Sequence, residues 1–125
     1  MMDFTVTKVK DIMQKKFWKV ILQDVAAHAR QLEADDVNDA FNYGAEMFEL
    51  DGIDTINVDT VETETNTDNS QIVFGQMTLN VLLKGFCVNN GEKQHNGNFP
   101  LTMIYTYTFD YYRGKYENLY LEYVD

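Results

Sequence analysis

The spacing of hydrophobic residues changes once along the chain, near Gly52, and this change limits the folds that the chain can adopt. Before Gly52, apolar residues recur every three or four positions, as in amphipathic helices. After it, apolar and polar residues alternate with a period of two, as in strands with one buried face. Helices followed by consecutive strands are typical of an α+β fold. We therefore predict an α+β protein in which two N-terminal helices pack on a sheet.

The helical spacing predicts two helices, over about residues 7–34 and 36–51. The inner stripe of the first consists of Trp18, Leu22, Val25, Ala29 and Leu32, with Val9, Met13, Phe17, Val20 and Ile21 on its flank. This spacing leaves open whether the first helix is continuous. Asp35 or Asp36 can cap the second helix, because a carboxylate accepts hydrogen bonds from first-turn amides. Its inner stripe consists of Val37, Phe41, Ala45 and Phe48.

Four strands are predicted, over about residues 53–65, 71–88, 99–110 and 115–124. Short polar connections separate them, and the longest is the loop at residues 89–98. Short connections imply antiparallel neighbours, so we predict a four-stranded antiparallel meander with the helices on one face. Cystatin-like and nuclear-transport-factor-2-like cones, in which a curved sheet wraps a long helix, are similar at the level of the fold. Such a similarity carries no function.

Length and composition limit the class of protein. A chain of 125 residues is the size of one domain, which we place at residues 1–125. It contains no apolar run of about 18 residues, and its N-terminus lacks the basic and apolar regions of a signal peptide, so we expect a cytoplasmic protein. Cys87 is the single cysteine, which predicts no intrachain disulfide.

Negative charge is concentrated in one stretch, residues 33–70, which we call the acidic segment. The net charge of the chain is −10, and the acidic segment holds twelve acidic residues and no lysine or arginine. Solvated surfaces usually interleave both signs, because neighbouring like charges repel. The segment is therefore either a solvated face or a surface for a basic partner. We predict that the partner-binding residues are Glu33, Asp35, Asp36, Asp39, Glu46, Glu49, Asp51, Asp54, Asp59, Glu62 and Glu64.

A second candidate interface lies near the C-terminus, where seven of the eight tyrosines fall between residues 105 and 123. Aromatic residues are common in strands and stabilise them by cross-strand pairing. Tyr111 and Tyr112, however, lie at a predicted turn beside Arg113. Tyrosine and arginine are enriched among the residues that dominate binding energy, so we add these three to the predicted partner-binding residues.

Residues that carry catalysis or bind metals are scarce. Ser70 is the only serine, and Cys87 lies on the apolar face of a predicted strand, where cysteine usually packs as a small apolar residue. His28 and His95 are too far apart in sequence to form a zinc motif. The glycines lack the strand–glycine–helix context of a phosphate-binding loop. We therefore predict no metal, no cofactor and no enzymatic activity.

Together these features predict an acidic binding protein, monomeric or a small homo-oligomer, that occupies a basic surface of another protein. A small inhibitor that mimics nucleic-acid charge and blocks a nucleic-acid-binding enzyme fits this description, as in counter-defence by phages or mobile elements. The same charge argues against direct binding to nucleic acid or to anionic membranes. The alternative is a small-molecule-binding protein or enzyme with a cone-shaped pocket between helix and sheet. That pocket would be lined by Asn80, Thr102, Thr106 and Tyr107.

Overall fold

A computed structural model describes residues 2–124, which form two α-helices and a five-stranded antiparallel sheet. The helices are α1 (Val6–Lys15) and α2 (Trp18–Ala29), and a short 3-10 turn follows at Ala34–Asp36. The strands are β1 (Met47–Val58), β2 (Glu62–Thr65), β3 (Gln71–Asn89), β4 (Glu92–Tyr112) and β5 (Lys115–Tyr123). The predicted α+β class, with two helices packed on an antiparallel sheet, is confirmed.

The sheet has the order β1-β3-β4-β5, and β2 also pairs with β3. The strand predicted over residues 53–65 is therefore two strands, and the described sheet has five strands instead of four. Between β1 and β2, the amides of Asp59 and Thr60 both donate to the carbonyl of Gln76, at 2.8 and 3.2 Å. Two residues facing one on the partner strand form a β-bulge, which separates β1 from β2.

Gly75 and Tyr107 hold this bulge in place. The Tyr107 hydroxyl donates a hydrogen bond of 2.7 Å to the carbonyl of Thr60. That carbonyl lies so close to Gly75 that a Cβ atom there would be only 2.1 Å from its oxygen. A residue without a side chain is therefore required at position 75.

The predicted first helix is two helices, separated at Lys16 and Phe17. Thr5 caps α1, since its hydroxyl oxygen accepts a hydrogen bond of 3.1 Å from the Lys8 amide. Both helices bury residues mainly at spacings of three and four: Val9, Ile12, Met13, Ile21, Val25 and Ala29. Trp18 and Leu22, predicted for the inner stripe, are only half-buried, and Val20 is exposed. Four of the five residues predicted for the flank are thus buried: Val9, Met13, Phe17 and Ile21.

The predicted helix over residues 36–51 is wrong. After the 3-10 turn, residues 38–44 form turns, and β1 begins at Met47. Asp39 and Gly44 have φ values of +67° and +73°, which a right-handed helix cannot accommodate. Phe41, predicted for the inner stripe, is 76% exposed, whereas the other three members, Val37, Ala45 and Phe48, are buried.

The predicted loop over residues 89–98 is also wrong, because β3 and β4 continue to a two-residue turn. Asn90 and Gly91 form this turn with φ values of +55° and +79°. Asn-Gly with both φ values positive is typical of a type I′ hairpin, whose twist matches that of the strands. Arg113 and Gly114 join β4 to β5 in the same way, with φ values of +48° and +81°.

One apolar face of each of the two long strands is largely buried. They contribute Val73, Met77, Leu79, Val81 and Leu83 from β3, and Met103, Tyr105, Tyr107 and Phe109 from β4. Cys87 is only half-buried.

Contacts group the chain into two units. The first comprises residues up to Ile21, Ile56–Leu79, and residues from Met103 onward; the second comprises Leu22–Thr55 and Asn80–Thr102. The single domain at residues 1–125 stays a prediction.

Candidate functional site

Two clefts lined by described residues lie within the second unit. The larger, which we call the strand cleft, has a volume of about 720 Å³. Its lining consists of Asn38, Asp51, Gly52, Ile53, Asp54, Asn80, Val81, Leu82, Pro100, Leu101 and Thr102. The smaller, the loop cleft, has a volume of about 510 Å³ and is lined by Asn38, Asp39, Tyr43, Gly97, Asn98, Phe99 and Pro100. The clefts share Asn38 and Pro100, so they are neighbours on one surface of this unit.

The charge of both clefts is negative. Their described lining includes three carboxylates, Asp39, Asp51 and Asp54, and no lysine, arginine or histidine. Asp51 forms an ion pair with Lys84 at 3.4 Å, whereas Asp39 and Asp54 take part in none of the ion pairs found within residues 2–124. An anionic ligand would be repelled here, and a cationic group would be attracted.

A row of hydrogen bonds fixes the polar part of the strand cleft. Asn80 donates through Nδ2 to Thr55 Oγ1 at 2.7 Å. The Thr102 hydroxyl donates to Asn80 Oδ1 at 2.8 Å. The row links β1, β3 and β4, so the Asn80 amide has a defined orientation. Asn80 and Thr102, two of the residues predicted for a pocket between helix and sheet, both line this cleft, but no residue of α1 or α2 lines it.

The other two residues predicted for that pocket lie elsewhere. Thr106 and Tyr107 belong to the first unit and line neither cleft. Tyr107 is buried, and its hydroxyl is engaged by the Thr60 carbonyl. Burial raises the pKa of Tyr107 above its ordinary value, because the phenolate would lose solvation. Tyr107 therefore has a structural role.

Two aromatic residues are exposed on the segment that precedes β1. Phe41 is 76% exposed and Tyr43 is 64% exposed. Tyr43 is held in position because its carbonyl accepts a hydrogen bond of 2.9 Å from Asn96 Nδ2 and its ring contacts Phe99 edge-on, with centroids 5.9 Å apart. Neither residue is among the predicted partner-binding residues, because the predicted helix places Phe41 in the core. The run of turn-forming residues Asn38, Asp39, Asn42 and Gly44 was the signal that could have exposed the error.

The structure divides the predicted acidic residues between the two units. Glu33, Asp35, Asp36, Asp39, Glu46, Glu49, Asp51 and Asp54 belong to the second unit, and Asp59, Glu62 and Glu64 belong to the first. Lys93 neutralises Glu49, and Lys84 neutralises Asp51. Asp36 accepts a hydrogen bond of 2.8 Å from the Glu33 amide and caps the 3-10 turn. Asp59 accepts one of 2.6 Å from the Thr78 hydroxyl. The surface available for a partner is thus smaller than the acidic segment.

The predicted tyrosine interface lies in the first unit. Tyr111 is half-buried, and its ring packs against Phe4 and Tyr116 at centroid distances of 5.4 and 5.1 Å. Tyr112 is 39% exposed, and the Arg113 guanidinium lies 5.1 Å from its ring centroid. Only Tyr112 and Arg113 are therefore exposed enough to serve as a contact surface. Tyr111 mainly stabilises the core.

The two histidines have local structural contacts. His95 Nε2 lies 3.0 Å from both the Gly97 carbonyl oxygen and Asn98 Oδ1. Both partners are acceptors in this arrangement, so Nε2 carries the proton. Burial lowers the pKa of His28, and the nearby Asp36 carboxylate partly opposes this effect. Within residues 2–124, no three His, Cys, Asp or Glu side chains lie close enough together to hold a metal ion.

Comparisons with known proteins give no match. No protein-family model, no curated protein and no solved structure is similar enough to the chain to be matched. In the described part of the chain, no helix combines the length and the apolar character needed to cross a membrane.

Proposed function

We propose that the protein is a binding protein, not an enzyme, and that the second unit receives a basic surface of a partner protein. The observation that carries this proposal is the lining of the two clefts, where Asp39 and Asp54 have no basic counterpart. Phe41 and Tyr43 are exposed on the same unit. They add apolar contact area to the charged surface.

Charge and aromatic side chains have different roles in this proposal. Carboxylates in a concave surface focus the field and attract a basic partner, so they raise the association rate. Exposed aromatic rings lose water when a partner covers them, and such residues often dominate the binding energy. Both features lie on one unit, which supports a protein partner more than an isolated ion.

The partner class that fits best is a nucleic-acid-binding enzyme. The binding groove of such an enzyme is basic, because it neutralises phosphates. The carboxylates of this protein would take the place of phosphates, and the enzyme would be blocked competitively. Small inhibitors of this kind act in counter-defence by phages and mobile elements. We propose that the protein acts in the cytoplasm without a cofactor, as a monomer or small homo-oligomer, and binds neither nucleic acid nor membranes itself.

The test is inhibition of a purified enzyme. The protein is immobilised and then incubated at low salt with a lysate of its source cells. The nucleic-acid enzymes that it captures are identified and purified, and their activity is assayed with and without the protein. We expect inhibition that is relieved by excess DNA or RNA substrate and that weakens as salt rises. Inhibition that does not respond to substrate concentration, or capture of no nucleic-acid enzyme, would contradict the proposal.

The strand cleft also supports a second candidate function, small-molecule binding. Its volume of about 720 Å³ lies within the usual range for ligand pockets, and the fixed Asn80 amide could orient a polar ligand. A thermal-shift screen with polar metabolites tests it. A true ligand would raise the melting temperature of the protein, and Thr102→Val should reduce that rise. If no compound raises the melting temperature, this candidate is rejected.

A further inference from the structure

We infer that the loop cleft binds the guanidinium group of an arginine side chain that the partner protein supplies. This inference rests on the function proposed above and names the group that the second unit recognises. The loop cleft combines a carboxylate, an exposed aromatic ring and amide groups in a volume of about 510 Å³. Each of these features matches one property of a guanidinium.

The carboxylate is that of Asp39, which is exposed and forms no ion pair within the described residues. Two of the three lysine and arginine residues of the second unit are bound to other acids, since Lys84 pairs with Asp51 and Lys93 pairs with Glu49. The third, Arg30, does not line the cleft. Asp39 is therefore available to a cation from outside the molecule.

The aromatic ring is that of Tyr43. A cation over the face of an aromatic ring is attracted by the negative charge of that face. Phe99 contacts the Tyr43 ring edge-on, and the residue remains 64% exposed, so ring surface is open to a ligand. The hydrogen bond from Asn96 to the Tyr43 carbonyl fixes the backbone at this position. The backbone position that carries the ring is thus fixed at the cleft.

Arginine fits this lining better than lysine. The guanidinium is planar and stacks on aromatic rings, and it is less strongly hydrated than an ammonium group. Its five N–H donors can reach several acceptors at once. The cleft offers such acceptors in the Asp39 carboxylate and in the side-chain oxygen of Asn38. The side-chain oxygen of Asn98 already accepts from His95 Nε2 but keeps a second lone pair. Pro100 adds an apolar contact for the methylene stem of the arginine.

The experiment is a titration of the isolated protein with three capped tripeptides, Gly-Arg-Gly, Gly-Lys-Gly and Gly-citrulline-Gly, followed by NMR at low salt. Citrulline has nearly the shape of arginine but no charge. We expect the arginine peptide to shift the amide signals of Asn38, Tyr43 and Asn98, with an affinity about tenfold above that of citrulline and severalfold above that of lysine. Equal affinities for arginine and citrulline, or for arginine and lysine, would overturn the inference.

Matched variants locate the binding. Tyr43→Leu removes the ring, and Tyr120→Leu is its control because Tyr120 is also 64% exposed but lies in the first unit. Tyr43→Leu should weaken arginine binding about three- to fivefold, Tyr43→Phe should not, and Tyr120→Leu should have no effect. Asp39→Asn should weaken it by a similar factor, with Glu122→Gln as the charge control, because Glu122 is an exposed acid of β5 in the first unit. Asparagine tolerates the positive φ of position 39, so this variant should fold. Equal effects of a variant and its control would contradict the inference.

The peptide titration needs no partner protein, so its outcome is separate from that of the inhibition assay. If the arginine peptide does not bind but a nucleic-acid enzyme is still inhibited competitively, the inference about the loop cleft is wrong and the proposed function stands. If the peptide binds selectively and no such enzyme is found, the proposed function is wrong and the guanidinium preference of the cleft stands.

Discussion

Gly75→Ala should destabilise the protein strongly, because the β-bulge leaves no room for a side chain. An alanine Cβ would lie 2.1 Å from the Thr60 carbonyl oxygen and 2.9 Å from the Tyr107 hydroxyl. The nearer obstacle is backbone, so the bulge itself must move. Forced repacking costs about 1–3 kcal/mol. Losing the hydrogen bond from Tyr107 to Thr60 costs about 1–3 kcal/mol more, since the buried Tyr107 hydroxyl is left without a partner. We expect a total loss of about 2–6 kcal/mol.

Urea unfolding followed by circular dichroism measures this loss, and Gly52→Ala is the matched control. Position 52 also lies in a strand, but an added Cβ there would meet no atom within 4 Å. Alanine at a compatible position restricts the unfolded chain, so Gly52→Ala should be neutral or stabilising by about 0.4–1 kcal/mol. Both substitutions replace glycine by alanine, but only Gly75→Ala should lower the free energy of unfolding.

A double-mutant cycle with Tyr107→Phe separates the two contributions. If the hydrogen bond is part of the cost, Gly75→Ala should cost less in the Tyr107→Phe background than in the wild type. A free energy of unfolding for Gly75→Ala within about 0.5 kcal/mol of wild type would refute the reasoning about the bulge.

Three further predictions concern pH and turn geometry. Burial raises the pKa of Tyr107, so the folded state keeps a proton that the unfolded chain loses, and stability should fall as pH rises above about 10. Tyr107→Phe should reduce this fall in urea unfolding measured between about pH 9 and 12. Burial lowers the pKa of His28, so the unfolded chain binds a proton first, and stability should fall as pH drops through about 6.5. His28→Gln should flatten that dependence, and an unchanged slope would count against the assignment. Gly91→Ala should cost about 1–2 kcal/mol in the same unfolding assay, because alanine is strained at a φ of +79° although the space around it is open.

The alternation of side chains predicted the sheet well because burial on one face of a strand is a local property of the sequence. The buried residues of β3 and β4 between Val73 and Phe109 follow this alternation. The bulge at Asp59 and Thr60 depends on contacts with Gly75, Gln76 and Tyr107, which are distant in sequence. No local pattern encodes such contacts.

In the segment before β1, the helical spacing of apolar residues led to the wrong prediction of a helix over residues 36–51. Val37, Phe41, Ala45 and Phe48 have helical spacing, but turn-forming residues interrupt the helix, and pairing with β3 begins with the bond from the Glu46 amide to the Phe86 carbonyl at 2.8 Å. From Phe48 to Asp51 the chain already alternates apolar and acidic residues, and this period of two indicates the start of a strand.

The acidic character of the candidate site was predictable from composition, but its geometry was not. The ion pairs of Glu49 with Lys93 and Asp51 with Lys84 join residues far apart in the chain, and they reduce the available negative charge. The loop cleft likewise joins Asp39 and Tyr43 to Gly97 and Asn98. Tertiary structure therefore decides which of the predicted acids remain open to a partner.

The most direct test of the account compares two variants with the same net charge in binding to the captured enzyme. Asp39→Asn with Asp54→Asn changes the clefts, whereas Glu62→Gln with Glu64→Gln changes exposed residues of β2 in the first unit. Each double variant changes the net charge from −10 to −8, so long-range attraction is matched. If the clefts receive the partner, the cleft variant should lose at least about tenfold in affinity, or roughly 1.4 kcal/mol, while the β2 variant should stay within about twofold. Equal affinities of the two variants would contradict this expectation.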